Sequence, residues 1–261
     1  MRALAAGLLL APFAVVATPA AAQETAPPST FTVTGGATIV SDYRFRGISQ
    51  TNRKVAVQAT ATVTHRSGVY ASFWGSTIDD YIANGSDQEL DLIAGYSHTF
   101  HNGVKLDGGV LYYYYPGGGH ANTDFVEPYV DISATYGPVT GKLTANYAPK
   151  ARALSTGVRP TEDNLYLAGD LSAGIPHTPL SVSGHLGHTF GPSYLSIGDG
   201  YTDWNLGASA TFNHITVGVS YVDTDKDSYI PVSAGGIYNP AGTRQRNISS
   251  SGVVASVGVS F

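Results

Sequence analysis

The sequence predicts an all-β fold: a transmembrane up-and-down antiparallel β-barrel of about twelve strands. Three observations predict it. Side-chain character alternates with a period of two along most of the chain, connections alternate between short and long, and charge is scarce. At the C-terminus Phe261, Val259, Val257, Ala255 and Val253 alternate with Ser260, Gly258, Ser256, Val254 and Gly252. Ile215, Val217, Val219 and Tyr221 alternate in the same way with Thr216, Gly218 and Ser220. Successive side chains of a strand point to opposite faces, so such segments present one apolar face and one small or polar face. Charged residues make up only 13% of the chain, against about 25% in soluble domains. Much of the surface is therefore expected to face something other than water.

The elements follow in order. Residues 1–22 read as a signal peptide: Arg2 is a short positive region, Leu4 to Ala17 an apolar run, and Ala20-Ala21-Ala22 a small-residue cleavage site. The competing reading, a membrane anchor, is disfavoured because the run is short and ends in small residues. Residues 23–30, rich in Pro, Ser and Thr, read as a disordered leader, and 31–261 as the barrel. Strands are expected at 31–46, 54–65, 68–76, 88–100, 103–115, 124–136, 138–148, 162–175, 179–190, 201–212, 214–223 and 250–261. Arg66-Ser67, His101-Asn102, Gly137, Pro176-His177-Thr178 and Asn213 mark tight turns after every second strand. The other links are longer, and the longest is the expected extracellular loop 224–249. All long loops then lie at one end and both termini at the other, the periplasmic one. A soluble β-sandwich also alternates, but its polar face meets water and carries many charges. Strands of about 9–11 residues suffice to cross a bilayer when tilted, and a sheet there must close so that every backbone group is paired.

Aromatic residues fall into two belts, as amphipathic rings at headgroup level do. Phe31, Phe100, Tyr136, Phe212 and Phe261 lie at the short-turn ends; Phe45, Phe73, Tyr112, Tyr114, Tyr147, Phe190, Trp204 and Tyr221 lie at the long-loop ends. The opposite parity would line the lumen. It carries Asp42, Glu89, Asp91, Asp107, Glu127, Asp131 and Asp170 against Arg44, Arg46, Lys105 and Lys142, with polar Thr60, Asn146, Tyr166 and His185 between them. These charges either pair in a closed interior or select solutes in a water-filled channel; in the second case the acid surplus favours cations or neutral polar solutes. SDYRFRGISQT (41–51) reads as the mouth-side end of the first strand, with Tyr43 and Phe45 toward lipid and Asp42, Arg44 and Arg46 toward the lumen.

The same SDYRFRGISQT resembles the opening signature of the TorF porin family of Gram-negative outer-membrane proteins. The likeness continues in GVYASFWGS (68–76), SDQELDLIAGYSHTF (86–100), DGGVLYYYYPG (107–117) and EPYVDISATYGPVTGKL (127–143). Phe261 with alternating Val259 and Val257 resembles the C-terminal signal read by the outer-membrane assembly machinery. The resemblance implies an outer-membrane barrel with a pore role, and brings no substrate or catalytic residue with it.

Other motifs carry less. His98 and His188 point outward, each in His-Thr-Phe, so the residue sharing their face is Phe100 or Phe190 instead of a nucleophile. His65-Arg66-Ser67 has the spacing but sits at a tight turn. Asp223, Asp225 and Asp227 imitate the start of an EF-hand loop, yet Ser228 and Ala234 stand where Gly and Glu are needed. No catalytic residue, metal ligand or cofactor is therefore expected. Without Arg2 the mature chain holds 13 basic against 19 acidic residues, a balance of −6, which argues against a nucleic-acid partner. The expected function is passive diffusion of small polar or charged solutes across the cell outer membrane, reached by signal-peptide export to the periplasm. The expected partners are the lipid bilayer, the assembly machinery through Phe261, and the solutes. A structural or surface-recognition barrel with a plugged lumen is the alternative, and a lipid hydrolase stands third.

Overall fold

A computed structural model describes residues 29–119, 122–231 and 245–261. The expected signal peptide, most of the leader, and the middle of the 224–249 loop lie outside the described residues. The strands are β1 (Phe31–Val40), β2 (Arg44–Phe45), β3 (Ile48–Ser49), β4 (Ala56–His65), β5 (Val69–Thr77), β6 (Gln88–Thr99), β7 (Val104–Tyr114) and β8 (Phe125–Tyr136). They continue as β9 (Val139–Ala151), β10 (Glu162–Gly174), β11 (Leu180–Phe190), β12 (Tyr201–Phe212), β13 (Ile215–Thr224), β14 (Tyr229–Pro231), β15 (Gln245–Asn247) and β16 (Gly252–Ser260). Twelve of them close one barrel, in the order β1, β16, β13, β12, β11, β10, β9, β8, β7, β6, β5, β4. Every barrel pairing is antiparallel, including the closure of β1 on β16 from Gly36↔Ser260 to Val40↔Ser256. No helix among the described residues is long and apolar enough to cross a membrane.

The alternation read from the sequence becomes the two faces of this cylinder. Leu143, Leu206 and Val253 are each about two-thirds exposed on the outside, while their neighbours on the other parity turn inward. Phe31, Phe100, Tyr136, Phe212 and Phe261 stand exposed around the short-turn edge. Phe73, Tyr112, Tyr147, Phe190 and Tyr221 are exposed on the long-loop half, with Tyr114 and Trp204 half-buried on the same outward parity. Aromatic and hydroxyl groups at the long-loop edge are tied to carboxylates: Tyr112 Oη donates to Asp124 Oδ2 (3.1 Å), Tyr147 Oη to Asp163 Oδ2 (2.9 Å) and Tyr221 Oη to Asp223 Oδ2 (2.9 Å).

One expected element is different. The first strand ends at Val40 instead of 46, because its partner β4 begins opposite it at Ala56. Ser41 still bonds Ala255 of β16, and residues 42–51 then fold into the barrel before the chain returns to the surface at 53–55. Phe45, expected in the outer belt, is an interior residue packed edge-on against Tyr113 with ring centroids 6.1 Å apart. Tyr43, expected toward lipid, is buried inside against Trp74. The barrel's hydrophobic core is consequently internal: Tyr43, Trp74, Tyr113, Tyr115 and Phe125 cluster in the long-loop half, and Tyr70 extends the cluster toward the short turns.

Candidate functional site: the lumen and its inward hairpin

The inward segment is a self-contained hairpin. β2 pairs with β3 through Arg44↔Ser49 and Phe45↔Ile48, and the two residues between them, Arg46 and Gly47, have φ of +47° and +80°. Positive φ at both central positions is the type I′ turn, whose twist matches a two-residue hairpin. Asp42 organises the hairpin from its base. Its carboxylate accepts Arg44 Nε (2.8 Å) and Ser49 Oγ (2.5 Å), and lies 3.3 Å from Thr51 Oγ1. Loops cover the outer side: Ile48 packs with Tyr201 and Ile248, and the Tyr81 hydroxyl donates to the Ser49 carbonyl. Burial pushes the Tyr81 phenol up to about 12, so it stays a donor at physiological pH.

The hairpin touches the wall on several sides. Tyr43 Oη donates to Glu89 Oε1 on β6 (3.0 Å), and Arg44 Nη1 donates to the Ser250 carbonyl just before β16 (2.9 Å). Gly47 is pressed against Thr224 and Asp203. At the tip, Arg46 Nη2 donates to Glu127 Oε1 on β8 (2.7 Å) and Nη1 to Asn164 Oδ1 on β10 (3.0 Å). Its guanidinium lies 4.1 Å from the Tyr166 ring centroid and 4.7 Å from that of Phe45. Gly47→Ala would put a side chain on a left-handed residue and drive a Cβ into Thr224, at a cost of about 1–2 kcal/mol from the backbone alone. The expected outcome is loss of amide-exchange protection at Ser49, whose N–H donates to the Ile248 carbonyl (2.9 Å).

Beneath the hairpin lies a cavity of about 130 Å³, bounded by Arg46 and Glu127 and by Lys142, Asp170, His185 and Asp203. Further lumen charges form an arc on β7 to β12. Lys105 pairs with Asp107 (3.2 Å) and Lys142 with Asp170 (2.8 Å); His185 bridges Asp170 (2.7 Å) and Asp203 (3.1 Å). Tyr70 Oη donates to Asp107 Oδ1 (2.6 Å) and contacts the Tyr129 hydroxyl. The facing wall, on β13, β16, β1 and β4, presents Thr216, Ser220, Ser256, Thr38 and Thr62.

The structure places the expected lumen residues in three groups. Lys105, Asp107, Asp131, Lys142 and Asp170 line the short-turn half. Glu89, Asp91 and Glu127 face the hairpin from the wall, and Arg46 reaches Glu127 across the lumen. Asp42 and Arg44 pair with each other inside the hairpin. Both Asp91 carboxylate oxygens and Asp131 Oδ1 are buried with no hydrogen-bond partner among the described residues. Sequence reasoning missed Asp203, Asn164 and Trp74. All three share the inward parity of residues that were assigned, so parity alone could have found them. The outward histidines are packed on aromatics, His98 on Phe100 (4.8 Å) and His188 on Phe190 (4.3 Å). No grouping of His, Cys, Asp or Glu among the described residues could hold a metal ion.

A family model described as "Bacterial protein of unknown function (Gcw_chp)" matches residues 23–260. Comparison with curated proteins gives no match. Among solved structures, the NanC porin superposes with a TM-score of 0.54 at 13% identity, covering 88% of this chain and 99% of that one. The KdgM porin, solved in complex with disordered oligogalacturonate, superposes with a TM-score of 0.53 at 11% identity, covering 88% and 98%. At these identities the likeness is one of fold.

Proposed function

For a chain that belongs to the Gcw_chp family of bacterial proteins of unknown function, we propose the role of an outer-membrane diffusion channel for small neutral or cationic polar solutes, closed at rest by its own hairpin. The observation that carries this reading is the polar, partly open lumen of a closed barrel whose outside is apolar. Its resemblance to the TorF porin family and its likeness in fold to two porins support the same reading. So does the chain's beginning, which reads as an export signal. The short turns and both chain ends would face the periplasm, and Phe261 would present the assembly signal.

The solute class follows from charge. Along the arc Asp107, Asp131, Asp170 and Asp203 stand against Lys105 and Lys142, with His185 shared between Asp170 and Asp203. The residual field is negative, so an acidic oligosaccharide such as that held by the KdgM porin would be repelled. Single-channel recording of refolded protein in planar bilayers under a salt gradient tests this. Conductance steps with a reversal potential of cation-preferring sign are expected; anion preference would refute the charge argument. Absence of steps, from protein whose folding is verified and whose hairpin has been released by mutation, would favour the second reading. In that reading the barrel is permanently plugged and works by surface recognition, and the burial of Tyr43 to Thr51 is what favours it.

A further inference from the structure

The residues that receive the Arg46 guanidinium are held in place by the barrel wall and not by the hairpin. Glu127 Oε2 accepts Tyr113 Oη (3.0 Å) and Asn146 Nδ2 (3.2 Å), which leaves Oε1 aimed at the lumen. The Asn164 amide nitrogen donates to the Phe190 carbonyl (2.9 Å) and Ser193 Oγ (3.0 Å), and Thr189 Oγ1 donates to the amide oxygen (3.1 Å), which fixes that oxygen facing the same point. The Tyr166 hydroxyl is anchored by Asp203 (3.0 Å) and His185 (2.9 Å), which fixes its ring face. A carboxylate oxygen, an amide oxygen and an aromatic face therefore converge on one place, and they are what a planar cation needs.

We propose that Glu127, Asn164 and Tyr166 form a binding site for solutes carrying a guanidinium or similar planar cationic group, and that Arg46 is its tethered occupant. A solute entering the cavity beside this site competes with Arg46, and winning that competition lets the hairpin leave. The inference rests on the channel reading for its physiological meaning, but the site itself can be tested without current. A tethered occupant acts at an effective concentration of roughly millimolar, so the intact chain should respond only to solute at that level or above. Removing the Arg46 side chain should expose the site.

The test uses the full barrel carrying Arg46→Ala, refolded in detergent. Methylguanidinium chloride is compared with sodium chloride and with urea, its uncharged shape analogue, each titrated from well below to well above about 10 mM and kept below denaturing levels. Methylguanidinium should raise the thermal unfolding midpoint of Arg46→Ala. Its half-maximal concentration should be at least about tenfold lower than that of sodium, and urea should do nothing. Adding Glu127→Gln should abolish the response. In planar bilayers the same cation should reduce the current of Arg46→Ala. Equal effects of methylguanidinium and sodium, or a response that survives Glu127→Gln, would overturn the site. If the midpoint shifts but no variant conducts, the site stands and the channel reading fails. If Arg46→Ala does not refold, Arg46→Gln keeps the length without the charge and answers the same question.

Discussion

Glu127→Gln is expected to release the hairpin and convert small or absent conductance into large unitary steps. Glu127 is fully buried and the Arg46 side chain is only 5% exposed, so the 2.7 Å pair is desolvated. Removing one partner of such a pair leaves an uncompensated charge and costs about 3–5 kcal/mol. Arg46 keeps Asn164 and the Tyr166 face, which places the effect toward the lower end. Even about 3 kcal/mol shifts a two-state equilibrium more than a hundredfold, enough to make the withdrawn hairpin the common state. The Lys142–Asp170 pair, with side chains 12% and 33% exposed, is partly screened, and cutting it should cost less than about 1 kcal/mol. It should change selectivity without opening anything. Bilayer recording and amide exchange over residues 43–50 check both claims together. A Glu127→Gln protein with unchanged conductance and unchanged protection would show that Arg46 is not the latch.

Leu206→Arg addresses the outer face. Leu206 lies in the middle of β12 on the outward parity and is 67% exposed. In water an arginine there would be nearly neutral, within about 0.5 kcal/mol. At the midplane of a bilayer it should destabilise the barrel by about 2–4 kcal/mol. Equilibrium unfolding of protein folded into lipid vesicles measures the difference. Val158→Arg, at a loop position 89% exposed, should be silent under the same conditions. Equal and small effects at both positions would mean that the apolar band does not face lipid.

Much of this architecture was legible because the governing signals are local. Alternation sorts each side chain to one face, and a two-residue polar link against a long one orders the strands, so eleven of the twelve barrel strands lie within a few residues of their expected spans. The segment 41–51 misled for the same reason. A hairpin and a membrane strand share the period of two, so Asp42, Arg44 and Arg46 alternate with Tyr43 and Phe45 in either structure. The Arg46-Gly47 pair was the available cue, since an X-Gly step suits a type I′ turn. The period of two instead carried the expected strand through Arg46.

By itself the sequence determined the β class, the antiparallel meander, the outward and inward parities of the wall strands, and the edge at which the aromatics of those strands stand. Each of these depends on neighbours within one strand or one turn. The closure of β1 against both β4 and β16, which ends the first strand at Val40 and leaves 42–51 to turn inward, belongs to the tertiary structure. So does the choice of Glu127, 81 residues away, as the partner of Arg46 among several inward acids. Which carboxylate meets which cation inside a barrel depends on the register of strands far apart in the chain, and no local pattern encodes that register.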